Sequence, residues 1–391
     1  MRWASALVQE LELRPALDAV ERALRPRLGD ARPDLVVVFA SPHLRPHFER
    51  LPGELHERLS PRALVGCVGA GVIGDGQEVE QRPALSVTAA VLPRVELRTF
   101  HVGAGDLPDL DRGPGRWRDL VGVAPAPAPH FVLLCDGASF DPRDLLQGLD
   151  FAYPGGVTIG GLASGRRGDP LFVDRGLVAQ GAVGLALQGD VVVDAVVAQG
   201  CRGVGAPMTV TRCRDHVLEE VDGRPPLEVL AELYEALPPE DQELLQHALH
   251  LGIASTSLTE PTGRGDYLIR NVVGADPERG VLAVGALLRP GQTVRFFLRD
   301  AAAADEDLRE HLDAYRGRRP APPAGALLFS CTGRGRHLFG SANHDSAALR
   351  RALGDVPLGG FFCGGEIGPV GDATHLHGYT SAFGLFRPGG G

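Results

Sequence analysis

The sequence predicts an α/β protein, with mixed β-sheets covered by helices, in two domains that carry repeated β-α-β-loop-β units. Three observations support this. At 391 residues the chain is long for a single hydrophobic core, which favours two domains. Continuous apolar runs such as LVVVFA (Leu35–Ala40) alternate with helical stretches, the pattern of strands buried on both faces. One order of elements is also written three times: apolar strand, polar turn, helical spacer, strand, glycine loop, strand. The leading strands are DLVVVFASPHL from Asp34, HFVLLCDGASF from His130 and ALLFSCTGRGR from Ala326. The glycine loops are ALVGCVGAGVIGDG (Ala63–Gly76), VTIGGLASGRRGD (Val157–Asp169) and LGGFFCGGEIGPVGD (Leu358–Asp372). A four-layer αββα sandwich is the alternative packing of the same elements.

Taken in order, residues 1–30 read as an amphipathic helix on the spacing of Leu7, Leu11, Leu17 and Val20. Leu35–Ala40 and Leu64–Val68 are strands, with a helical stretch, HLRPHFERLPGELHERL, between them. Glu78–Val91 and Val95–Val102 read as neighbouring antiparallel strands. Residues 103–129 are the least regular stretch, ending in an Ala/Pro alternation that favours an extended surface crossing. DPRDLLQGLD then gives a helix with Asp141 at its cap. Ala182–Leu187 and Val191–Val197 are β-like, and the Gly/Pro cluster Gln199–Pro207 sets a boundary between domains 1–200 and 201–391. Beyond it come a strand, a hairpin through Asp222-Gly223 and an amphipathic helix. Strands follow at Tyr267–Val273, Gly280–Leu288 and GQTVRFFLRD, then a helix, AAADEDLREHLDAYRGR, and the third repeat at 325–387. The repetition implies that the two halves share a topology.

Composition excludes several functions. The net charge of −10 argues against nucleic-acid binding, which needs clustered positive charge. All 39 basic residues are Arg, so no Lys Schiff base, Walker lysine or kinase-type lysine exists here. The N-terminus is interrupted by Glu10 and Glu12, unlike a signal peptide, and no apolar run is long enough to span a bilayer. A cytoplasmic protein with reduced cysteines is expected. Cys67, Cys135, Cys201, Cys213, Cys331 and Cys363 form no CxxC pair, which argues against a zinc site.

The chemistry-bearing residues cluster in the third repeat. Gly69–Gly74 matches GxGxxG, but β-like sequence follows it instead of the helix a dinucleotide site needs, so it reads as a tight strand-to-strand turn. Arg334 and Arg336 stand among glycines after a strand, where guanidinium groups could pair with a carboxylate; the plain alternative is exposed loop arginines. Asn343-His344-Asp345 could open a helix, with Asp345 near its cap. Cys331 or Cys363 with His344 could form a thiol nucleophile and base, although small buried cysteines are commoner. His375 and His377 would share one face of a strand, open to a metal or haem, or simply half-exposed.

Three segments together resemble one family: GCVGAGVIGDGQEVEQRPALSVTAAVLP, CRGVGAPMTVTRCRDHVLEEVDGRPPLEVL and SCTGRGRHLFGSANHDSAALRRALGDVPLGGFFCGGEIGPVGDATHLHGYT. The order is that of a FIST-domain protein, with FIST N and FIST C halves, from about Asp34 to about Phe386. The resemblance implies a sensory module for a small ligand, with amino acids suggested, and binding without catalysis is the first reading of the chain. Some relatives bind haem and sense nitric oxide. No output domain fits in the chain, so signalling would use a separate protein partner. Within that reading Arg334 or Arg336 would hold a carboxylate and Glu366 an ammonium, with His344, Cys363, Gly364 and Gly365 completing the ligand site. No cofactor is expected; haem is the alternative, as is an enzyme using Cys363 or Cys331.

Overall fold

The computed structural model describes residues 1–255, 266–319 and 321–389. They form two compact units: residues 1–197, 311–369 and 373–391, and residues 198–310 with 370–372.

In the first unit the threefold repeat becomes three six-stranded mixed sheets. Each is centred on a parallel pair: Leu35–Ala40 beside Ala63–Val68, His130–Cys135 beside Thr158–Leu162, and Gly325–Cys331 beside Leu358–Cys363. An antiparallel strand flanks the leading strand each time, at Leu85–Val91, Ala182–Gly189 and Ser381–Arg387. Beyond it lies an outer strand: Arg2–Val8, Val95–Val102 and Val192–Ala198 respectively. A helix follows the first two outer strands directly in the chain, at Leu13–Leu28 and Pro114–Val121, whereas Ala301–Arg318 comes after Val192–Ala198 only beyond the second unit's strands. The whole second unit's strand set falls between Val192–Ala198 and the rest of the third repeat.

The hairpin after each glycine loop does not return to its own sheet. Gly71–Gly74 with Gln77–Glu80 pairs onto Leu358–Cys363. Leu171–Val173 with Gly176–Val178 pairs onto Ala63–Val68. Glu366–Val370 with Ala373–His377 pairs onto Thr158–Leu162. The three repeats therefore exchange hairpins in a cycle.

Strand alternation explains the layers. Leu35, Val37 and Phe39 enter a central core with Val132, Leu134, Leu327, Phe329 and Phe361. Val36, Val38 and Ala40 pack the other way, under Leu17, Val20, Leu24, Leu51 and Leu55 of the covering helices. Both faces are apolar, and each fully buried Val or Leu contributes about 1.5–3 kcal/mol. Phe39 stacks on Phe361 at 4.8 Å and meets Phe329 edge-on at 6.4 Å, so rings from the first and third repeats share the centre.

The second unit is a closed antiparallel barrel of six strands: Arg202–Arg214, Val217–Val221, Leu249–Ala254, Tyr267–Asp276, Val281–Val284 and Thr293–Leu298. Val204, Val210, Leu218, Leu251, Leu282, Val294 and Phe296 fill its core.

The structure corrects several expectations. Arg2–Val8 is a strand, and only Leu13–Leu28 is helical. Leu85–Val91 and Val95–Val102 lie in different sheets. Residues 103–129 include the helix Pro114–Val121, whose Trp117 is fully buried. The hairpin turn lies at Asp215-His216, while Asp222-Gly223 links a strand to the helix Pro226–Ala236. The halves 1–200 and 201–391 do not share a topology: the first carries two of the three repeats, the second the barrel and the third repeat.

Candidate functional site

In the first unit the three glycine loops meet. Ser164 is the knot: its hydroxyl accepts the Ala70 N–H at 2.9 Å and donates to the Phe362 carbonyl. The N–H groups of Ser164 and Gly165 both donate to the Val68 carbonyl, at 3.2 and 3.1 Å. Leu162 N–H reaches Gly365 O at 2.8 Å, and Gly364 N–H returns to Leu162 O at 2.9 Å. One hydroxyl and a few backbone bonds thus lace all three repeats together.

Beside this junction opens a cleft of about 560 Å³, lined by the Asp136–Ala138 turn, Leu162, Ala163, Gly165 and Gly364. Arg166, Arg167 and Asp169 complete its lining. Asp169 is buried; its Oδ2 accepts the Arg166 N–H at 2.6 Å and its Oδ1 pairs with Arg45. That pairing offsets the Asp169 charge. Asp136 accepts the Ser139 hydroxyl at 2.5 Å and the Ala138 N–H at 3.2 Å, and a carboxylate has capacity for further bonds. Arg166 and Arg167 are exposed, and neither guanidinium has a hydrogen-bond or ion-pair partner among the described residues. Two uncommitted guanidinium groups beside close-lying backbone suit a carboxylate, and Asp136 suits an ammonium.

The residues singled out in the third repeat lie mostly away from this opening. Arg334 is fully buried and forms a two-pronged pair with Asp345, both contacts at 2.9 Å. Asp345 also accepts the Ser330 hydroxyl at 2.9 Å and lies 2.9 Å from His344 Nδ1. The His344 ring stacks on Phe339 at 3.4 Å, and the Arg334 guanidinium sits 5.2 Å from the same ring. Burial would raise the Asp345 pKa, but the Arg334 charge and the bonds from His344 and Arg334 hold it well below the usual carboxylate range. Glu78 shows the opposite balance. Burial first, then the Asp345 charge, pushes it up to about 7. Arg336 is exposed, with its N–H donating to Glu80 Oε1 at 3.0 Å.

Cys363 and Glu366 are enclosed. Burial, reinforced by the Glu366 carboxylate, pushes the Cys363 thiol well above its ordinary pKa, which favours the thiol over the nucleophilic thiolate. Glu366 Oε2 accepts the Thr380 N–H at 3.0 Å. Gly365 packs against Leu162 and Leu376, and Gly364 lines the cleft. His377 is buried with Nε2 3.0 Å from Gly368 O, its ring 6.1 Å from that of His375. Among the described residues no group of 3 or more His, Cys, Asp or Glu side chains could hold a metal ion, and no helix is long and apolar enough to cross a membrane.

Residues 34–224 match the FIST N domain and residues 226–369 the FIST C domain. The chain belongs to the FIST family. An uncharacterized protein of Mycobacterium tuberculosis is 39% identical over 384 residues, covering 95% of this chain and 96% of its own. Another, from Mycobacterium bovis, is 37% identical over 380 residues, covering 95% of each. An F-box/LRR-repeat protein of Arabidopsis thaliana is 29% identical over 105 residues, 26% of this chain and 20% of its own. Among solved structures, a cyanuric acid hydrolase from A. caulinodans covers 99% of both chains at 9% identity, with a TM-score of 0.34. FIST domains are associated with small-ligand sensing in signalling proteins.

In this FIST chain, reasoning from sequence passed over Arg166, Arg167 and Asp136. A signal was present. GRRGD carries the same pairing of arginines with glycines that drew attention to GRGR at Gly333–Arg336. Only burial distinguishes them: the third loop turns Arg334 inward onto Asp345, and the second leaves both arginines exposed.

Proposed function

We propose that this protein binds a small carboxylate-bearing ligand, amino acids included, in the cleft at the second glycine loop, as the input of a sensory protein that signals through a separate partner. The carrying observation is the pair Arg166 and Arg167, uncommitted and lining a cleft of about 560 Å³, a volume in the range of small-molecule pockets. A bidentate guanidinium–carboxylate contact is among the stronger polar interactions available to such a site. Asp136, which lines the same cleft, would take the ammonium of an amino acid. Because Ser164 joins the cleft loop to the other two, occupancy would be felt by all three repeats.

The test is a thermal-shift and calorimetry panel of amino acids and small carboxylates on the full chain. A ligand at 100 times its Kd should add about 2.7 kcal/mol of stability. Replacing Arg166 and Arg167 together by Ala should weaken binding at least about tenfold, while Arg336→Ala, outside the cleft, should leave it unchanged. Binding that survives the double replacement, or responds to Arg336→Ala instead, would overturn this assignment.

A further inference from the structure

The repeats differ in length where the cleft lies. From the second strand of each parallel pair, the chain reaches its exchanged hairpin through residues 69–70 in the first repeat and 364–365 in the third, but through residues 163–170 in the second. The longer crossing, ASGRRGDP, brings in Arg166, Arg167 and Asp169, which the short ones, GA and GG, have no room to carry. Asp169 is committed within the protein. Its buried carboxylate accepts the Arg166 N–H at 2.6 Å and pairs with Arg45, so it shapes the crossing and its charge is matched. Three other charged side chains line the cleft. Arg166 and Arg167 have no polar partner among the described residues, and Asp136 accepts from neutral donors, the Ser139 hydroxyl and the Ala138 N–H. Two guanidinium groups thus stand against one carboxylate, a local positive excess in a chain of net charge −10. Among the described residues that line the cleft, Leu162 alone has a large apolar side chain.

We propose, on the reading that this cleft is the ligand site, that it selects an acidic amino acid, aspartate or glutamate, over neutral and basic ones. Each carboxylate of such a ligand meets a guanidinium and its ammonium meets Asp136, so every charge on either side has a counterpart. A neutral amino acid leaves one guanidinium without a carboxylate. A basic one sets a further cation against the arginines, and a dicarboxylate lacking the ammonium sets its charge against Asp136; both mismatches act as repulsion against the wrong ligand. A bulky aliphatic or aromatic side chain finds little apolar wall to cover it.

Calorimetry on the full chain tests this with L-glutamate, L-aspartate, L-glutamine, L-asparagine and glutarate. The acidic amino acids should bind at least about tenfold tighter than their amides, the worth of one charge-assisted contact. Arg166→Ala or Arg167→Ala alone should shrink that preference to about threefold or less. Asp136→Asn, which keeps an oxygen for the Ala138 N–H, should weaken glutamate by at least about tenfold and leave glutarate unchanged or tighter. Glutamine binding as tightly as glutamate, in a protein that loses both when Arg166 and Arg167 are replaced together, would overturn the specificity and leave the cleft as the ligand site. Glutarate binding as tightly as glutamate would overturn the role of Asp136 and with it the choice of an amino acid. Binding that survives the double replacement, or no binding of any of these ligands, would overturn the cleft as the ligand site and the specificity together.

Discussion

Arg334 and Asp345 show how burial decides what an ion pair is worth. Both side chains are withdrawn from solvent and joined by two hydrogen bonds. Removing one partner of such a pair strands the other without compensation, at a cost of about 3–5 kcal/mol. Asp345→Asn should therefore lower the urea-unfolding free energy at pH 7 by about 3 kcal/mol or more. Asp355→Asn breaks the solvent-exposed pair with Arg27 and should cost less than about 1 kcal/mol. Equal effects would show that the buried pair is not the fastening point it looks to be. Sequence identified Arg334 as a cation with a purpose but assigned the partner to a ligand. Asp345, eleven positions along, is supplied by the helix His344–Leu353, and no periodicity in CTGRGRH shows which of its arginines turns inward. Gly364, read from its glycine loop as a ligand contact, lies in the lining of the cleft at the second loop.

At the scale of elements, the repeat explains a glycine in each second strand. Gly66 lies opposite Val38, Gly160 opposite Leu133 and Gly360 opposite Leu328 in the three parallel pairs. A Cβ at any of these positions would overlap the carbonyl oxygen of its partner. Backbone cannot yield as a side-chain tip can, so Gly66→Ala, Gly160→Ala and Gly360→Ala should each cost about 3 kcal/mol or more, measured by denaturant unfolding. Gly53→Ala, in the helix Leu51–Leu59 with open space around it, should instead be neutral or stabilising by about 0.5 kcal/mol. Tolerance of Ala at any of the three strand glycines would contradict this account. The parallel strands were readable because both faces are buried and their residues are continuously apolar. Arg2–Val8 escaped for a related reason. Trp3 enters the central core and Ala4, Ala6 and Val8 the helix-covered layer, so both faces are buried and no alternation of apolar with polar residues outweighs the helical spacing that runs on into Leu13–Leu28. Pro114–Val121 was hidden by its Gly and Pro flanks, although Trp117 anchors it in the core of the second sheet.

For the whole molecule, the cyclic exchange of hairpins makes distant chain segments depend on one another. The first sheet is complete within residues 1–178, but the second needs Glu366–Val370 and Ala373–His377. The third takes its central pair from beyond residue 324, and the outer strand Val192–Ala198 finds its partner only in Ser381–Arg387. The central core likewise draws Leu327, Phe329, Phe361, Ala382 and Phe386 from the C-terminal end. None of this was legible in the sequence, because local patterns reveal that a hairpin exists but not which strand, nearly 300 residues away, receives it. The division into 1–200 and 201–391 can be tested through these pairings. A fragment of residues 1–200 would retain the hairpin Gly71–Glu80 and the strand Val192–Ala198 with their acceptor strands missing, edges that invite aggregation. It should therefore show no cooperative thermal transition and should associate at micromolar concentration. Adding residues 301–391 in trans should restore a single sharp transition and a monodisperse complex, since those residues supply the missing strands and core side chains. If residues 1–200 alone unfold cooperatively as a monomer, the exchange is dispensable, and the repeats are held together by the central core and the loop junction at Ser164 instead.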